Sequence, residues 1–122
     1  MKFLLIMHVN PAIWEALPEE TRNEVMSGHG DFMKKIKESG EFVCTQALAE
    51  PAQSSVVRVR DGVPAVTDGP YAEAKEFLGG FYVIECRDRE RAHEIAAMIP
   101  DSKVEGLGIE VRPIAFSDGL PE

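Results

Sequence analysis

The chain has 122 residues and a formal net charge of −8, from 21 acidic and 13 basic residues. This length fits one domain, and a hydrophobic content of 44% is enough for an ordinary core, which excludes a disordered chain. The acidic balance argues against nucleic acid or an anionic membrane as the main partner, because binding to phosphates needs a basic surface.

The start of the sequence has no pattern typical of export. The longest apolar run, residues 3–7, is far shorter than the roughly 20 residues of a membrane span. It also lacks the small-residue cleavage site of a signal peptide. We therefore expect a cytoplasmic protein in which Cys44 and Cys86 are free, buried thiols.

The first half of the sequence predicts a strand, two helices and a second strand. Residues 2–9 are apolar on both faces, which is typical of a central strand. Asn10 is suited to cap a short helix, and a longer helix is predicted over residues 18–39. Residues 41–48 then predict the second strand. One stripe of the longer helix is apolar apart from a histidine, and it is formed by Val25, His29, Phe32 and Ile36.

The second half predicts a hairpin, another central strand, a helix and a last strand. Asp61-Gly62 lies between two segments of alternating polarity, which is a strong hairpin signal. The run at residues 81–86 is again apolar on nearly every position. The predicted strands are residues 55–60, 63–67, 81–86 and 108–114, and the apolar face of the helix is Ala92, Ile95, Ala96 and Ile99.

This element order predicts an α+β fold, specifically a ferredoxin-like βαββαβ arrangement with an inserted β-hairpin. The domain covers residues 1–116, and residues 117–122 form a C-terminal tail. The two main helices can cover only one face of the sheet, so the other face exposes Leu4, Ile6 and their neighbours. Such a patch is too large for a soluble monomer. We therefore predict a homodimer in which the two sheets face each other.

Several segments of the sequence carry a family resemblance. VVRVRDG, TDGPYAEAKEFLGGFYVIEC and GIEVRPI resemble the DGPF-type branch of the YCII-related proteins, and the match covers nearly the whole chain. The resemblance implies a ferredoxin-like fold that forms a dimeric α/β barrel. Some relatives are found with, or fused to, alternative sigma-factor proteins. The wider family includes one kind of dehalogenating enzyme and carries a proposed His–Asp pair.

His29 is the first candidate catalytic residue. It lies eleven residues before Gly40, the spacing at which the resemblance implies an active-site histidine. Its neighbours Gly28 and Gly30 each cost about 1 kcal/mol relative to alanine within a helix, which indicates a close backbone approach or a cavity. A neutral imidazole there could act as a general acid or base. The alternative is a core histidine that a carbonyl group or water satisfies.

Asp68 is the second candidate catalytic residue. The resemblance implies an acid just before Pro100, but this chain has Ile99 there, and Asp101 is displaced. Asp68 begins a tight turn near the mouth of the predicted barrel, so we predict that it orients or pairs with His29, or that it binds the ligand. The alternative is an acid that only fixes the geometry of the turn.

Further ligand-binding residues are predicted in the loop after this turn and on the first strand. A charge cluster in a loop is more often a solvated surface, and that alternative stays open here. The histidines lack the spacing of a metal site, and no cofactor-binding motif is present, so we expect neither metal nor cofactor. The candidates are Gly69, Pro70, Tyr71, Glu73, Lys75 and His8.

Three functions are compatible with these observations. The first is a homodimeric binding module whose cavity near the TDGPY loop takes a small polar or anionic molecule. The second is a cofactor-free enzyme of lyase or hydrolase type in which His29 and Asp68 form an acid–base pair. The third is a regulatory protein associated with sigma-factor transcription, which the resemblance suggests.

Overall fold

The computed structural model describes residues 1–70 and 76–119. This part of the chain is an α+β protein with helices α1, Pro11–Ala16, α2, Glu19–Glu38, and α3, Arg89–Met98. Its strands are β1, Lys2–Val9, β2, Phe42–Ala47, β3, Ser55–Arg60, β4, Val63–Asp68, β5, Phe77–Glu85, and β6, Gly108–Pro113. Short 3-10 turns occur at Pro51–Gln53 and Pro100–Lys103. The predicted ligand-binding residues Tyr71, Glu73 and Lys75 lie outside the described residues.

Four of the strands form one antiparallel sheet in the order β2-β5-β1-β6. Strands β1 and β5 are central, as their apolar patterns predict, and the order is compatible with a ferredoxin-like arrangement. Strands β3 and β4 form a separate hairpin.

Strand β5 begins at Phe77, earlier than the predicted start at Phe81. Gly79 and Gly80 belong to this strand, and they allow it to lie close to its neighbours. A Cβ atom on Gly80 would be 2.8 Å from the Gln46 carbonyl oxygen.

The core lies between the helices and one face of the sheet. The predicted stripe of α2 buries Val25, Phe32 and Ile36, and the predicted face of α3 is buried as well. Each large apolar side chain buried in this way contributes about 1.5–3 kcal/mol to folding. The largest fully buried side chains are Phe3, Leu5, Ile36, Ile84, Ile95 and Ile99.

Local signals in the sequence fix the ends of several elements. The Asn10 side chain accepts hydrogen bonds from two backbone amides of α1, and the Asp88 side chain accepts one from the Arg91 amide of α3. Asp61 and Gly62 have φ angles of 52° and 78°, as a tight hairpin turn requires. Within the described residues, no helix is long and apolar enough to cross a membrane.

Candidate functional site

His29 lies at the centre of a chain of three hydrogen-bonded side chains. Its Nδ1 atom is 2.7 Å from the Tyr82 hydroxyl oxygen, and its Nε2 atom is 2.7 Å from Asp101 Oδ1. Helix α2 carries His29, strand β5 carries Tyr82, and the 3-10 turn Pro100–Lys103 carries Asp101. The site therefore joins three elements that are far apart in the sequence.

The donors and acceptors of this chain follow from the chemistry of its groups. A carboxylate oxygen can only accept a hydrogen bond, so Nε2–H of a neutral His29 donates to Asp101. Nδ1 then keeps its lone pair and accepts a hydrogen bond from the Tyr82 hydroxyl. The arrangement leaves Nδ1 as the basic atom of the site, while Asp101 orients the ring and stabilises positive charge on it.

Tyr82 keeps its proton over a wide range of pH. Its side chain is only 2% exposed, and burial together with the nearby charge of Asp101 raises its pKa to about 12. Its ring also stacks near the His29 ring, at a centroid distance of 5.9 Å and an interplanar angle of 13°. Tyr82 is therefore a hydrogen-bond donor at neutral pH and not a base.

A close approach between α2 and the 3-10 turn positions Asp101. A Cβ atom on Gly28 would be 2.6 Å from Pro100 Cγ, so only glycine fits there without a shift. Pro100 begins the turn, and the following residue, Asp101, points to His29 and is 7% exposed. A close backbone approach is one of the two reasons that the glycines beside His29 suggested. Gly30, by contrast, faces open space.

A cavity of about 450 Å³ lies over the three side chains. His29, Tyr82 and Asp101 are part of its lining, and most of the remaining lining is apolar. The His29 side chain is 18% exposed, so a small molecule in this cavity can reach its ring. This space is called the His29 cavity below. Its size is within the range of small-molecule sites.

The carboxylate beside His29 is Asp101, where the sequence predicted Asp68. Asp68 is exposed at the end of β4 and pairs with Ser55 in the hairpin. Both ring nitrogens of His29 are occupied by Tyr82 and Asp101. The sequence placed the expected acid just before Pro100, where this chain has Ile99, whereas the 3-10 turn that begins at Pro100 brings Asp101 inward. A role for Asp68 in ligand binding stays a prediction.

The other predicted ligand-binding residues fall in two places. Gly69 and Pro70 line a neighbouring cavity of about 630 Å³. It shares Trp14 and Leu48, among others, with the lining of the His29 cavity. His8 is elsewhere: it lies on the opposite face of the sheet from the core.

His8 forms its own polar cluster. Its Nε2 atom is 2.6 Å from Glu110 Oε1, and Arg112 also binds Glu110. These two partners lower the pKa of the Glu110 carboxyl. Since this cluster faces away from His29, it belongs to a different surface.

One protein family matches nearly the whole chain. The model of the YCII-related domain matches residues 1–116. The chain belongs to the YCII-related family. This YCII-related chain is also similar to an uncharacterized protein of Rhizobium meliloti (strain 1021), with 28% identity over 116 residues. The match covers 95% of this chain and 94% of that protein.

In this YCII-related chain, the sequence does not predict that Tyr82 and Asp101 bind His29. Tyr82 lies in a run that is apolar on nearly every position, so it does not stand out as a polar residue. A tyrosine in the middle of a buried central strand needs a partner for its hydroxyl, and that signal points to an inward polar group such as His29. Asp101 follows a proline and lies near a buried helix end, but no local pattern states which way its side chain turns.

The acidic and metal-binding side chains of the described residues are not arranged as a metal centre. No group of three or more His, Cys, Asp or Glu side chains in residues 1–70 and 76–119 is placed to hold an ion. The described lining of the His29 cavity contributes the imidazole of His29, the phenol of Tyr82 and the carboxylate of Asp101. These groups can donate, accept and transfer protons.

Proposed function

We propose that this YCII-related protein binds a small organic molecule in the His29 cavity and catalyses cofactor-free proton transfer with His29 as the general base. The observation that carries the proposal is the hydrogen-bonded chain from Tyr82 through His29 to buried Asp101 at the wall of a solvent-connected cavity. A base that an acid orients from behind is the arrangement that general acid–base catalysis uses.

The proposed step moves one proton. A substrate displaces the Tyr82 hydroxyl from Nδ1, and Nδ1 removes a proton from the substrate. The resulting imidazolium is stabilised by Asp101, which stays hydrogen-bonded to Nε2. Tyr82, whose pKa is raised to about 12, keeps its proton and donates a hydrogen bond to the negative charge that develops on the substrate. Proton removal of this kind starts lyase and hydrolase reactions.

A binding module without catalysis is the second candidate. The observation in its favour is that both His29 ring nitrogens already have partners. A ligand must therefore break a good hydrogen bond before His29 can act. In this case the cavity would hold the ligand and His29 would only contribute to its wall.

The proposal also covers the topology and the assembly of the protein. We propose a ferredoxin-like topology and a homodimeric α/β barrel in which the sheets of the two chains pack together through the faces that point away from the helices. The support is apolar surface without a described partner: Leu4 and Phe81 are half-buried on the sheet face away from the helices. Val57, Val59 and Val66 are 61–67% exposed on one face of the hairpin. Assignment to the DGPF branch, a cytoplasmic location and a link to sigma-factor transcription stay predictions.

Proton transfer is tested without knowledge of the natural substrate. The protein is incubated in deuterated water with a panel of small carbonyl compounds, and loss of the C–H signals is followed by proton NMR. Wild type is expected to speed exchange for part of the panel. His29→Ala is expected to lower that rate by about 10²–10⁴-fold. Asp101→Asn, which keeps an acceptor but removes the charge, is expected to have a smaller effect.

His93→Ala is the matched control, because His93 is exposed on α3. It should exchange at the wild-type rate. Equal rates in wild type and His29→Ala would contradict a catalytic role for His29. Exchange at the rate of buffer alone, with a compound still bound in the cavity, would favour the binding module.

A further inference from the structure

The lining of the His29 cavity is mostly apolar and carries few charged groups. Among the lining residues in the described part of the chain, Asp101 is the one with a formal charge at neutral pH besides the titratable His29, and neither lysine nor arginine is present. The Thr45 hydroxyl donates to the Phe81 carbonyl oxygen at 2.8 Å, so its proton is already used. Most of the other lining side chains are apolar.

This lining disfavours a negatively charged ligand. A carboxylate in the cavity would lose part of its hydration and would face Asp101, and no lysine or arginine among the described lining residues would compensate its charge. The net charge of −8 adds repulsion at longer range. The lining also disfavours a cationic ligand, because the Asp101 carboxylate is buried and its Oδ1 atom already accepts a hydrogen bond from His29.

The apolar part of the lining suits a compact hydrophobic body. Met7, Met26 and Met33 contribute three flexible thioether side chains, which adapt to irregular or aromatic shapes. Trp14 adds a large aromatic surface. Burial of apolar surface against these groups would supply most of the binding free energy.

We infer that the ligand of the His29 cavity is a neutral, mostly apolar small molecule with one hydrogen-bonding group, such as a hydroxyl or carbonyl, directed at His29 and Tyr82. This inference rests on the proposed function and specifies its substrate class. It differs from the polar or anionic ligand that the sequence suggested. The neutral group replaces the hydrogen bond between Tyr82 and His29, while the rest of the molecule occupies the apolar space.

The test uses three probes of one shape and different charge. They are para-tert-butylbenzyl alcohol, para-tert-butylbenzoate and para-tert-butylbenzylamine. Trp14 is the only tryptophan of the chain and lines the cavity, so its fluorescence reports binding. The alcohol is expected to bind at least about tenfold more tightly than the benzoate or the protonated amine.

A gain-of-charge variant tests the reason for this selectivity. Met26 lines the cavity and is 64% exposed, so Met26→Arg adds a guanidinium at the rim without disturbing the core. It is expected to tighten binding of the benzoate by about five- to tenfold. Ser27→Arg adds the same charge at the next, exposed position of α2 and should leave benzoate binding unchanged.

The outcomes separate this inference from the proposed function. Tighter binding of the benzoate or the amine than of the alcohol to wild type would overturn the substrate class. Proton transfer by His29, measured by deuterium exchange, would be unaffected by that result. No Trp14 response to any probe would overturn both the substrate class and the small-molecule site. If Met26→Arg and Ser27→Arg bound the benzoate equally well, the lack of a positive charge in the lining would be excluded as the reason for the selectivity.

Discussion

At the scale of single residues, the surroundings of the Tyr82 hydroxyl set its pKa and its hydrogen-bond partner. The side chain is packed in the core, edge-on to Phe32 at a centroid distance of 4.8 Å, and its hydroxyl has His29 as partner. A buried hydroxyl that loses its partner is costly, and so is a buried imidazole nitrogen left without one. The Tyr82–His29 bond therefore contributes to folding as well as to the proposed chemistry.

Tyr82→Phe is expected to lower the free energy of unfolding by about 1–3 kcal/mol at pH 8. The difference should shrink as pH rises above 10. An unfolded chain releases the tyrosine proton near pH 10, whereas folded Tyr82 has a pKa of about 12 and retains it. Between these values the folded state binds more protons, so the stability of wild type falls as pH rises. Urea unfolding at several pH values measures this change.

Tyr82→Phe lacks this titration, so its own stability should fall less steeply over the same range. The other tyrosine of the chain, Tyr71, is present in both proteins and cancels in the comparison. A stability difference that stays constant from neutral pH to the alkaline limit of folding would show that Tyr82 does not have the raised pKa.

At the scale of elements, two glycines of α2 perform different tasks on either side of His29. Gly28 faces Pro100, at a distance that leaves no room for a Cβ atom, and Gly30 faces open space. A glycine within a helix costs about 1 kcal/mol relative to alanine because it adds freedom to the unfolded chain. Only Gly28 has a packing reason to accept that cost.

Gly30→Ala is therefore expected to stabilise the protein by about 0.5–1 kcal/mol. Gly28→Ala should be less stable than Gly30→Ala by about 1–3 kcal/mol, because the added methyl group must push Pro100 and its turn away. That shift would also move Asp101 from His29. Thermal or urea unfolding measures the first effect, and nitrogen NMR of the His29 ring measures the second.

The pair of variants controls itself, since both replace a glycine by alanine in the same helix. Equal stability of the two proteins would contradict the close approach at Gly28. An unchanged signal from His29 Nε2 in Gly28→Ala would show that the 3-10 turn holds Asp101 in place without help from this contact.

At the scale of the whole molecule, no helix of the described residues covers one face of the four-stranded sheet. Phe3, Leu5 and Met7 point from β1 into the core, whereas Leu4 and His8 belong to the opposite face. Ile6 on that face is already only 6% exposed within a single chain, so the apolar surface is smaller than the sequence suggested. Leu4, Phe81 and the valines of the hairpin are the apolar groups that a second copy would cover.

A homodimer should have a mass of about twice 13.5 kDa by light scattering. Leu4→Asp is expected to shift the mass toward one chain, because it places a charged carboxylate in the apolar part of the proposed interface. Phe116→Asp is the matched control: Phe116 follows β6 and is not part of the sheet face proposed as the interface, so its replacement should leave the mass unchanged. Circular dichroism verifies that both variants are folded.

A wild-type mass near 13.5 kDa would contradict the dimer. A folded Leu4→Asp variant with the wild-type mass would exclude this face of the sheet as the interface, and the apolar face of the hairpin would then be the surface to change next.

Features that depend only on neighbouring residues could be predicted from the sequence. Asn10 and Asp88 cap helices through amides two or three residues away, and Asp61-Gly62 makes its turn from its own φ angles. Helical periodicity likewise placed His29 on the inward stripe of α2, and the two apolar runs identified the central strands. Each of these signals operates over one turn of helix or one strand.

The hydrogen-bond partners of His29, by contrast, depend on how distant segments pack together. Tyr82 is 53 residues away along the chain and Asp101 is 72, and no periodic pattern extends over such separations. The register of β5 sets which of its side chains faces α2, and the direction of the 3-10 turn sets which acid points inward. Asp68 and Asp101 are both acids beside a turn, so local chemistry could not choose between them. Asp101 is the acid that reaches His29, because Gly28 allows Pro100 to pack close to α2 beside His29.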